Sequence, residues 1–412
     1  MSEFAFDSLP DNLREALKRC DVLVDNDQLR YFYDLYDPET GGFYYSISSR
    51  DCEEMTPFAE GTNFVHGALW NGGIRNFPDW YKEKVSSWIL PHQDESDGFF
   101  YEKLWGKITS GPRLNRDLSS SAGILETCGV KPRYTLPQDR IKTDGVTSNS
   151  TVPKRLESKE AFLEYLDSLD WSTKSIWSTG QKLSTEKTLI SAAGLYEFTQ
   201  DYIRQKQNLK TGLFGEGLEW MNTNGAMKLS GFFCTPDSPY PNPELAIESV
   251  KELYGGNEPP TSATWIWNPF VLLERIINNA PDSDRERLRN MLLEKGADIV
   301  NKAIDCALLL HRADGGFSGH LSRGGFRQQG YLYGMGLKEE SDLDGTLIAG
   351  QRLRTAICRV FGVTPTSDYY SKYEKDFWQA LKDKPPVKKT KPRPEGPLNP
   401  PGAPTPIYKP VW

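Results

Sequence analysis

The sequence predicts an all-α protein, an α/α toroid of about six helical hairpins followed by an extended Pro-rich C-terminal tail. Three observations favour this class. Apolar residues recur at helical spacing in many segments, whereas strand patterns are sparse. A short Gly-aromatic motif follows several of these segments. With 412 residues, 38% of them hydrophobic, the chain can bury a large core.

The Gly-aromatic motif occurs in four near-copies. They read DPETGGFYYS, DESDGFFYE, NLKTGLFGE and RADGGFSGH, each at the end of an apolar segment. Glycine adopts positive φ without strain, so it can end a helix, and the aromatic residue after it can fold back onto that helix. The motif therefore predicts the boundaries of a repeated structural unit.

Two sets of helices are predicted between these boundaries. The first set lies at residues 26–36, 78–92, 158–168, 184–206, 242–254, 264–279 and 284–311. Helices of the second set open with polar residues and read GTNFVHGALWNGG, RDLSSSAGILETCG, NTNGAMKLSGFF and SDLDGTLIAGQRLRTAICRVFG. Such helices must pair and stack to bury their apolar faces, which closure into a ring achieves. The polar openings of the second set are then expected to converge on a central cavity.

The chain is expected to divide at about residue 384. Residues 1–383 carry the repeats and are assigned to the toroid. Residues 384–412 read KPPVKKTKPRPEGPLNPPGAPTPIYKPVW, without a periodic apolar face. Such a Pro- and Lys-rich segment favours an extended, polyproline-like tail.

Composition excludes several classes of partner. The formal charge is −7, and no basic run in the toroid is interleaved with aromatic residues, so no nucleic-acid partner is predicted. The sequence contains no run of about 18 apolar residues, so no membrane span is predicted. The six cysteines show no CxxC spacing and are expected to be reduced and structural, which suits the cytoplasm. The expected partner is a small-molecule substrate.

Asp342 and Asp344 are the strongest catalytic candidates. They lie two residues apart in SDLDGT, where an apolar helix begins. One carboxylate can cap the helix while the other faces the cavity, and their proximity would raise the pKa of one and make it a proton donor. Alternatively, both only cap the helix and complement its dipole.

The repeats resemble the QW motifs of the terpenoid cyclase and protein prenyltransferase superfamily of α/α toroids. The succession from DGGFSG to SDLDGTLIAGQRL is similar to the GGW-to-DxDD succession of class II terpene cyclases. This resemblance implies acid-initiated cyclisation or isomerisation of an isoprenoid, with Asp344 as the acid and Asp342 as its partner. Thr346 matches the threonine often found after the motif, whereas Gly345 stands where the family has a further aspartate.

The zinc site of the prenyltransferase branch is not matched. In that branch, the zinc ligands are an Asp, a Cys and a His spread over the final repeats. After Gly319 this chain has His320 and Cys358, but no Asp-x-Cys and no later histidine. No cofactor or metal site is therefore predicted, and Mg²⁺ would be needed only if the substrate were a diphosphate.

A carbohydrate-active toroid, such as a glycoside hydrolase, lyase or epimerase, is the alternative hypothesis. DPETGGFYYS is similar to segments of N-acylglucosamine 2-epimerase-like proteins. Sugar sites need paired acid and base groups and aromatic platforms. The helix openings supply substrate-binding candidates, each of which could instead cap or pack: Glu60, Asn63, His66, Arg113, Asp117, Asn222, Asn224, Lys228, Trp265 and Trp267. A non-catalytic binding toroid is the third hypothesis.

Overall fold

The computed structural model describes residues 6–108, 111–145, 152–233, 235–365 and 367–390. Helices account for most of this part of the chain, which confirms the all-α class. The helices are α1 Asp11–Arg19, α2 Asn26–Leu35, α3 Ile47–Arg50, α4 Ala59–Asn71, α5 Asp79–Ile89, α6 Pro112–Cys128, α7 Pro137–Asp144, α8 Lys159–Ser168, α9 Ile176–Ala192, α10 Tyr196–Gln205, α11 Trp220–Leu229, α12 Pro243–Gly255, α13 Ala263–Asn278, α14 Asp282–Leu308, α15 Leu343–Leu347, α16 Leu353–Val360 and α17 Glu374–Asp383.

Two compact units divide the chain. The first unit comprises Met1–Val24, Lys154–Leu310 and Ile348–Pro365, and the second comprises Asp25–Pro153, His311–Leu347 and Thr366–Trp412. Within the first unit, α9 packs on α11, α11 on α13, and α13 on α16, while α14 packs on α1 and α12. Such consecutive pairing of helices is compatible with the predicted α/α toroid.

The second unit contains the helices that position the candidate site. Here α6 packs on α4 and α5, α15 packs on α4, and α17 packs on α2. Its two strands, β1 Arg327–Gln328 and β2 Tyr331–Leu332, form an antiparallel hairpin. The part of the predicted tail at residues 391–412 lies outside the described residues.

All four Gly-aromatic motifs adopt the same turn. In each, an antiparallel bridge joins the residue before the turn to the aromatic residue after it, as in Tyr36 to Phe43 and Gln93 to Phe100. A glycine with φ of 79°, 78°, 66° or 92° lies inside the turn; these are Gly41, Gly98, Gly212 and Gly315. The predicted positive φ of the glycine and the return of the aromatic residue are thus confirmed. The prediction that this glycine ends the helix is wrong, because the preceding helices end several residues earlier, for example at Leu35 and Leu308.

Two predicted helices are interrupted. The segment 184–206 forms α9 and α10, because Gly194 between them adopts a φ of 71°, which a helix does not allow. The segment after Asp342 forms α15, a π-helical stretch at Ile348–Arg352 and α16. Gly350 breaks the regular backbone there, with φ −87° and ψ −113°. Apolar periodicity persists across both interruptions and therefore did not reveal them.

The cysteines of the described chain are free and buried. They are Cys20, Cys52, Cys128, Cys306 and Cys358. Burial raises the pKa of the Cys128 thiol to about 11, so this thiol stays protonated near neutral pH. The sixth cysteine, Cys234, lies outside the described residues.

Candidate active site

Asp342 is buried immediately before α15 and joins the first turn of this helix to the segment that carries Gly319 and Gly325. Its carboxylate accepts hydrogen bonds from the backbone N–H groups of Gly319 at 2.5 Å, Gly325 at 2.6 Å and Gly345 at 2.7 Å. Such contacts match the capping role that the sequence left open for one of the two aspartates. Thr346 donates from Oγ1 to the Asp342 carbonyl at 2.8 Å, which strengthens the same junction.

Gly345 has no room for a side chain. A Cβ atom at this position would lie 2.4 Å from the carbonyl carbon of Ser318 and 2.5 Å from the nitrogen of Gly319. Both atoms belong to backbone, which gives way far less readily than the end of a side chain. Steric crowding therefore accounts for glycine at the position where class II cyclases carry an aspartate.

Asp344 is half-buried and faces a polar network. Its Oδ2 accepts a hydrogen bond at 2.7 Å from Nε2 of Gln328, which also donates to Tyr45 Oη at 3.0 Å. Burial, followed by the charges of Asp342 and Asp344, raises the pKa of the Tyr45 phenol well above its usual value. Tyr45 therefore remains protonated.

The β-hairpin connects Asp344 to a second cluster of side chains, which includes Arg113. Gln329 and Gly330 form its two-residue turn, with φ of 49° and 90°, as a type I′ turn requires. Positive φ is uncommon for glutamine, and such backbone strain is often found where a side chain has a specific role. Gln329 Oε1 accepts a hydrogen bond from Arg113 Nη1 at 2.9 Å. Adjacent glutamines thus contact Asp344 and Arg113.

The second cluster is a buried network of ionised groups on α4 and α6. Arg113, only 1% exposed, donates to Glu60 Oε2 at 2.6 Å and to Asp117 Oδ1 at 2.9 Å. Arg113, Arg116 and Asp117 share one face of α6 through their helical spacing. Arg116 forms a second ion pair with Glu60. The sequence-predicted Glu60, Arg113 and Asp117 are therefore brought together.

The pKa values of the carboxyl groups in this cluster are shifted in opposite directions. Burial alone would raise the pKa of Glu60, but the charges of Arg113 and Arg116 reverse this effect and hold it at about 2. Burial raises the pKa of Asp117, with Arg113 opposing the change. Separation of pKa values between neighbouring carboxyl groups is the arrangement that acid–base catalysis uses.

Glu102 is a further buried acid that the sequence analysis missed. Its Oε1 accepts from the Ala59 N–H at 2.6 Å, and its Oε2 lies 3.8 Å from His92 Nδ1. Burial, followed by the charge of Asp117, raises the pKa of Glu102 to about 8. Burial lowers the pKa of His92 to about 4. Near neutral pH, Glu102 thus carries a proton beside a neutral imidazole.

Glu102 and His92 line a cavity of about 460 Å³ in the second unit. The other lining side chains are charged, hydroxylic, aromatic or apolar: Asp37, Glu39, Thr40, Tyr44, Thr56, Pro57, Trp88, Lys103, Val387 and Lys389. Asp37 is held by hydrogen bonds from Thr40 Oγ1 at 2.7 Å and from the N–H groups of Thr40 at 3.2 Å and Glu39 at 3.4 Å. His92 Nε2 is buried without a hydrogen-bond partner among the described residues.

The signal for this cavity lay inside the repeats. Asp37 begins the first Gly-aromatic motif, DPETGGFYYS, and Glu102 ends the second, DESDGFFYE. In the sequence, both motifs predict turns, whereas the candidate site residues lie at the helix openings. Acidic residues at the edges of a turn are ordinary surface residues by pattern, so only packing distinguishes Glu102 from them.

Two further predicted candidates of the second unit lie apart from the ion network. His66 is buried against Phe77 and Tyr81, and its Nε2 lies 2.6 Å from Tyr81 Oη. Burial lowers the pKa of His66 to about 3, so its ring is neutral near neutral pH, as expected of a packed histidine. Asn63 is half-buried, and its Oδ1 would lie 2.8 Å from a Cβ atom at Gly123 of α6.

The remaining predicted candidates belong to the first unit. Asn222 forms a capping box with Glu219 and donates to the Phe214 carbonyl at 2.7 Å. Asn224 accepts from Asn268 Nδ2 at 2.9 Å. The others are half-buried: Lys228, Trp265 and Trp267. Within the second unit, Glu60, Arg113, Asp117 and Asp344 thus lie near the hairpin.

Neither a metal site nor a membrane span is found in the described part of the chain. No group of three or more His, Cys, Asp or Glu side chains there could hold a metal ion. No helix among the described residues has the length and apolar character needed to cross a bilayer.

Comparisons with solved structures show resemblance to three enzymes. A variant of the type II terpene cyclase MstE from Scytonema, bound to geranylgeranyl dihydroxybenzoate, matches with a TM-score of 0.43 and 11% identity over 85% of this chain and 98% of that chain. A polysaccharide lyase matches with a TM-score of 0.36 and 13% identity over 84% and 97% of the two chains. A family 15 glucoamylase from Hypocrea jecorina matches with a TM-score of 0.39 and 11% identity over 96% and 82%.

No protein-family model and no curated protein sequence matches the chain. Resemblance at 11–13% identity carries no information about activity. The activity of the chain therefore depends on the chemistry of its own residues.

Proposed function

We propose that the chain is an enzyme that cleaves a carbohydrate with Glu102 as the general acid. The observation that carries this proposal is a buried carboxyl group on the wall of a cavity whose lining includes charged, hydroxylic and aromatic side chains. Burial raises the pKa of this carboxyl group to about 8. A general acid must hold its proton near the working pH, which an ordinary surface glutamate does not. Burial supplies this property to Glu102.

The lining of the cavity favours a hydroxyl-rich ligand over a hydrocarbon. Charged side chains, including Asp37 and Lys103, line the cavity together with hydroxyl groups and the rings of Tyr44 and Trp88. Sugars present hydroxyl groups to such donors and acceptors, and they present C–H faces to aromatic rings. An isoprenoid chain would leave the charged groups desolvated without hydrogen bonds, which is costly. The size lies within the ~300–1,000 Å³ usual for small-molecule sites.

The proposed reaction is hydrolysis of a glycosidic bond. Glu102 donates its proton to the leaving oxygen as the bond from that oxygen to the anomeric carbon breaks. A second carboxylate activates a water molecule, or attacks the anomeric carbon before water replaces it. Asp37 is the candidate for this second group, because its hydrogen bonds from Thr40 and Glu39 orient it as a carboxylate at the same cavity.

Replacement of Glu102 tests the proposal. The purified chain is assayed for release of reducing ends from α- and β-linked gluco-oligosaccharides and from oligogalacturonides. We expect Glu102→Gln to lower the rate on the cleaved sugar by about 10²–10⁴-fold, because the amide donates no acidic proton. The wild-type rate should fall as pH rises through about 8, where Glu102 loses its proton.

Glu95→Gln is the matched control, since Glu95 is an exposed glutamate in the same Gly-aromatic motif as Glu102 and should keep wild-type activity. Wild-type activity in Glu102→Gln, or no cleavage of any saccharide by the wild type, would reject the proposal.

Acid-initiated isoprenoid cyclisation is the second candidate function. The observation that favours it is the aromatic group beside Asp344: Tyr45 and Phe58 lie at 5.8 Å, and Phe58 and Tyr333 at 4.1 Å, between ring centroids. Aromatic faces can stabilise the carbocations of such a reaction. Incubation with isoprenoid substrates should then give a cyclic product that disappears in Asp344→Asn. Product formation by that variant would refute Asp344 as the acid.

A further inference from the structure

The segment that follows α17 lies along the second unit. We call residues 384–390 the C-terminal strap. Lys384 begins the strap, and its Nζ donates to three backbone carbonyls, those of Tyr33 at 2.5 Å, Asp34 at 3.1 Å and Tyr36 at 2.8 Å. These carbonyls end α2, where the helix leaves acceptors unsatisfied and where a cation complements the dipole. The beginning of the strap is therefore anchored.

The other end of the strap is anchored beside the first Gly-aromatic turn. Lys389 Nζ donates to the Met55 carbonyl at 2.6 Å and lies 5.2 Å from the centre of the Tyr44 ring. The N–H of Thr390 donates to the Asp51 carbonyl at 2.9 Å. The strap is consequently held at both ends by side-chain and backbone bonds to other segments of its own unit.

Between its anchors the strap has one inner and one outer side. Lys384, Val387 and Lys389 are half-buried, whereas the residues between them are exposed. Val387 and Lys389 line the cavity that contains Glu102 and His92. Consecutive prolines stiffen the strap as it leaves Lys384, since they restrict φ. The strap is thus a preformed wall rather than a linker.

We propose that the C-terminal strap determines ligand size in this cavity, with Val387 and Lys389 as specificity-determining residues that restrict the enzyme to short saccharides. This inference rests on the proposed function. The cavity of about 460 Å³ has the strap as one of its walls, so the strap limits the room for further sugar units on that side. Val387 presents an apolar contact, and Lys389 presents a cation to oxygen atoms of the ligand.

Val387 is the position at which to test the inference, because its side chain makes no anchoring bond. Val387→Gly should widen the cavity and raise the rate on long oligosaccharides relative to short ones. Val387→Trp should fill the cavity and raise KM for the shortest substrate by about tenfold, with a smaller effect on kcat. Lys388→Ala, an exposed neighbour in the same strap, is the matched control.

Rates are measured on labelled oligosaccharides of defined length, in the linkage series that the wild type cleaves, and Tm is measured for each variant. A changed length preference at an unchanged Tm supports the inference. If the wild type is active and both Val387 variants keep its length preference, the strap does not determine ligand size. The proposed function is then unaffected. A wild type that cleaves no saccharide overturns the proposed function instead. If one of the two variants lowers Tm, the length preference of the other variant decides.

Discussion

At the scale of single residues, the partners of each carboxyl group decide its role. Asp342 and Glu102 are both buried acids of the second unit, at 0% and 3% exposure. Three backbone N–H groups surround the Asp342 carboxylate, whereas Glu102 accepts one such bond and lies near other acids. The first arrangement holds loops in place, and the second retains a proton.

Asp342→Asn should therefore destabilise the fold. The asparagine amide nitrogen donates and cannot accept from an N–H group, so at least one of the buried donors of Gly319, Gly325 and Gly345 loses its partner. We expect a loss of about 1–3 kcal/mol in the free energy of unfolding, measured by urea denaturation. Asp344→Asn is the matched comparison, since Asp344 is only half-buried and should lose less. Equal stability of the two variants would contradict this account of Asp342.

At the scale of elements, the turns and hairpins carry the side chains of the site. The four Gly-aromatic turns were predictable because each depends on a local backbone requirement, a positive φ at glycine. The β-hairpin was not predicted, because two-residue strands leave no periodic pattern. Its turn residue Gln329 also breaks the preference for Asn or Gly at positive φ, which suggests a role for its side chain.

Gln329→Asn should separate the function of this turn from its stability. Asparagine adopts positive φ more readily than glutamine, so the free energy of unfolding should stay the same or rise slightly. The shorter side chain would lose the 2.9 Å contact with Arg113. If the hairpin positions the ionised cluster for catalysis, activity falls although Tm is retained. A variant with lower Tm, or with full activity, would contradict this role.

At the scale of the whole molecule, buried titratable groups should make stability depend on pH. Glu102 binds its proton more tightly when folded, with a pKa of about 8 against 4.5 for an ordinary glutamate. Its contribution is fully present below pH 4.5 and is lost as pH rises through about 8, at roughly 1.4 kcal/mol per unit of pH. Glu60 acts in the opposite sense, since its contribution is lost as pH falls from 4.5 through about 2.

Comparison of the wild type with Glu102→Gln isolates the first of these effects. Urea denaturation at pH 5 and pH 9 should show the wild type losing more stability than the variant over this interval. His66 and His92 are present in both proteins, and their lowered pKa values remove stability only as pH falls below 6.5. Parallel pH dependence in the two proteins would show that Glu102 titrates normally.

The helical class, the Gly-aromatic turns and three members of the ionised cluster, Glu60, Arg113 and Asp117, could be predicted from the amino-acid sequence. Those features depend on local periodicity, on glycine at positive φ and on polar residues at helix openings. Long-range packing, in contrast, determines that Asp342 joins α15 to the preceding segment, that Gly345 excludes a side chain and that the pKa of Glu102 is raised. Burial and neighbouring charge come from segments distant in the chain, and no local pattern records them.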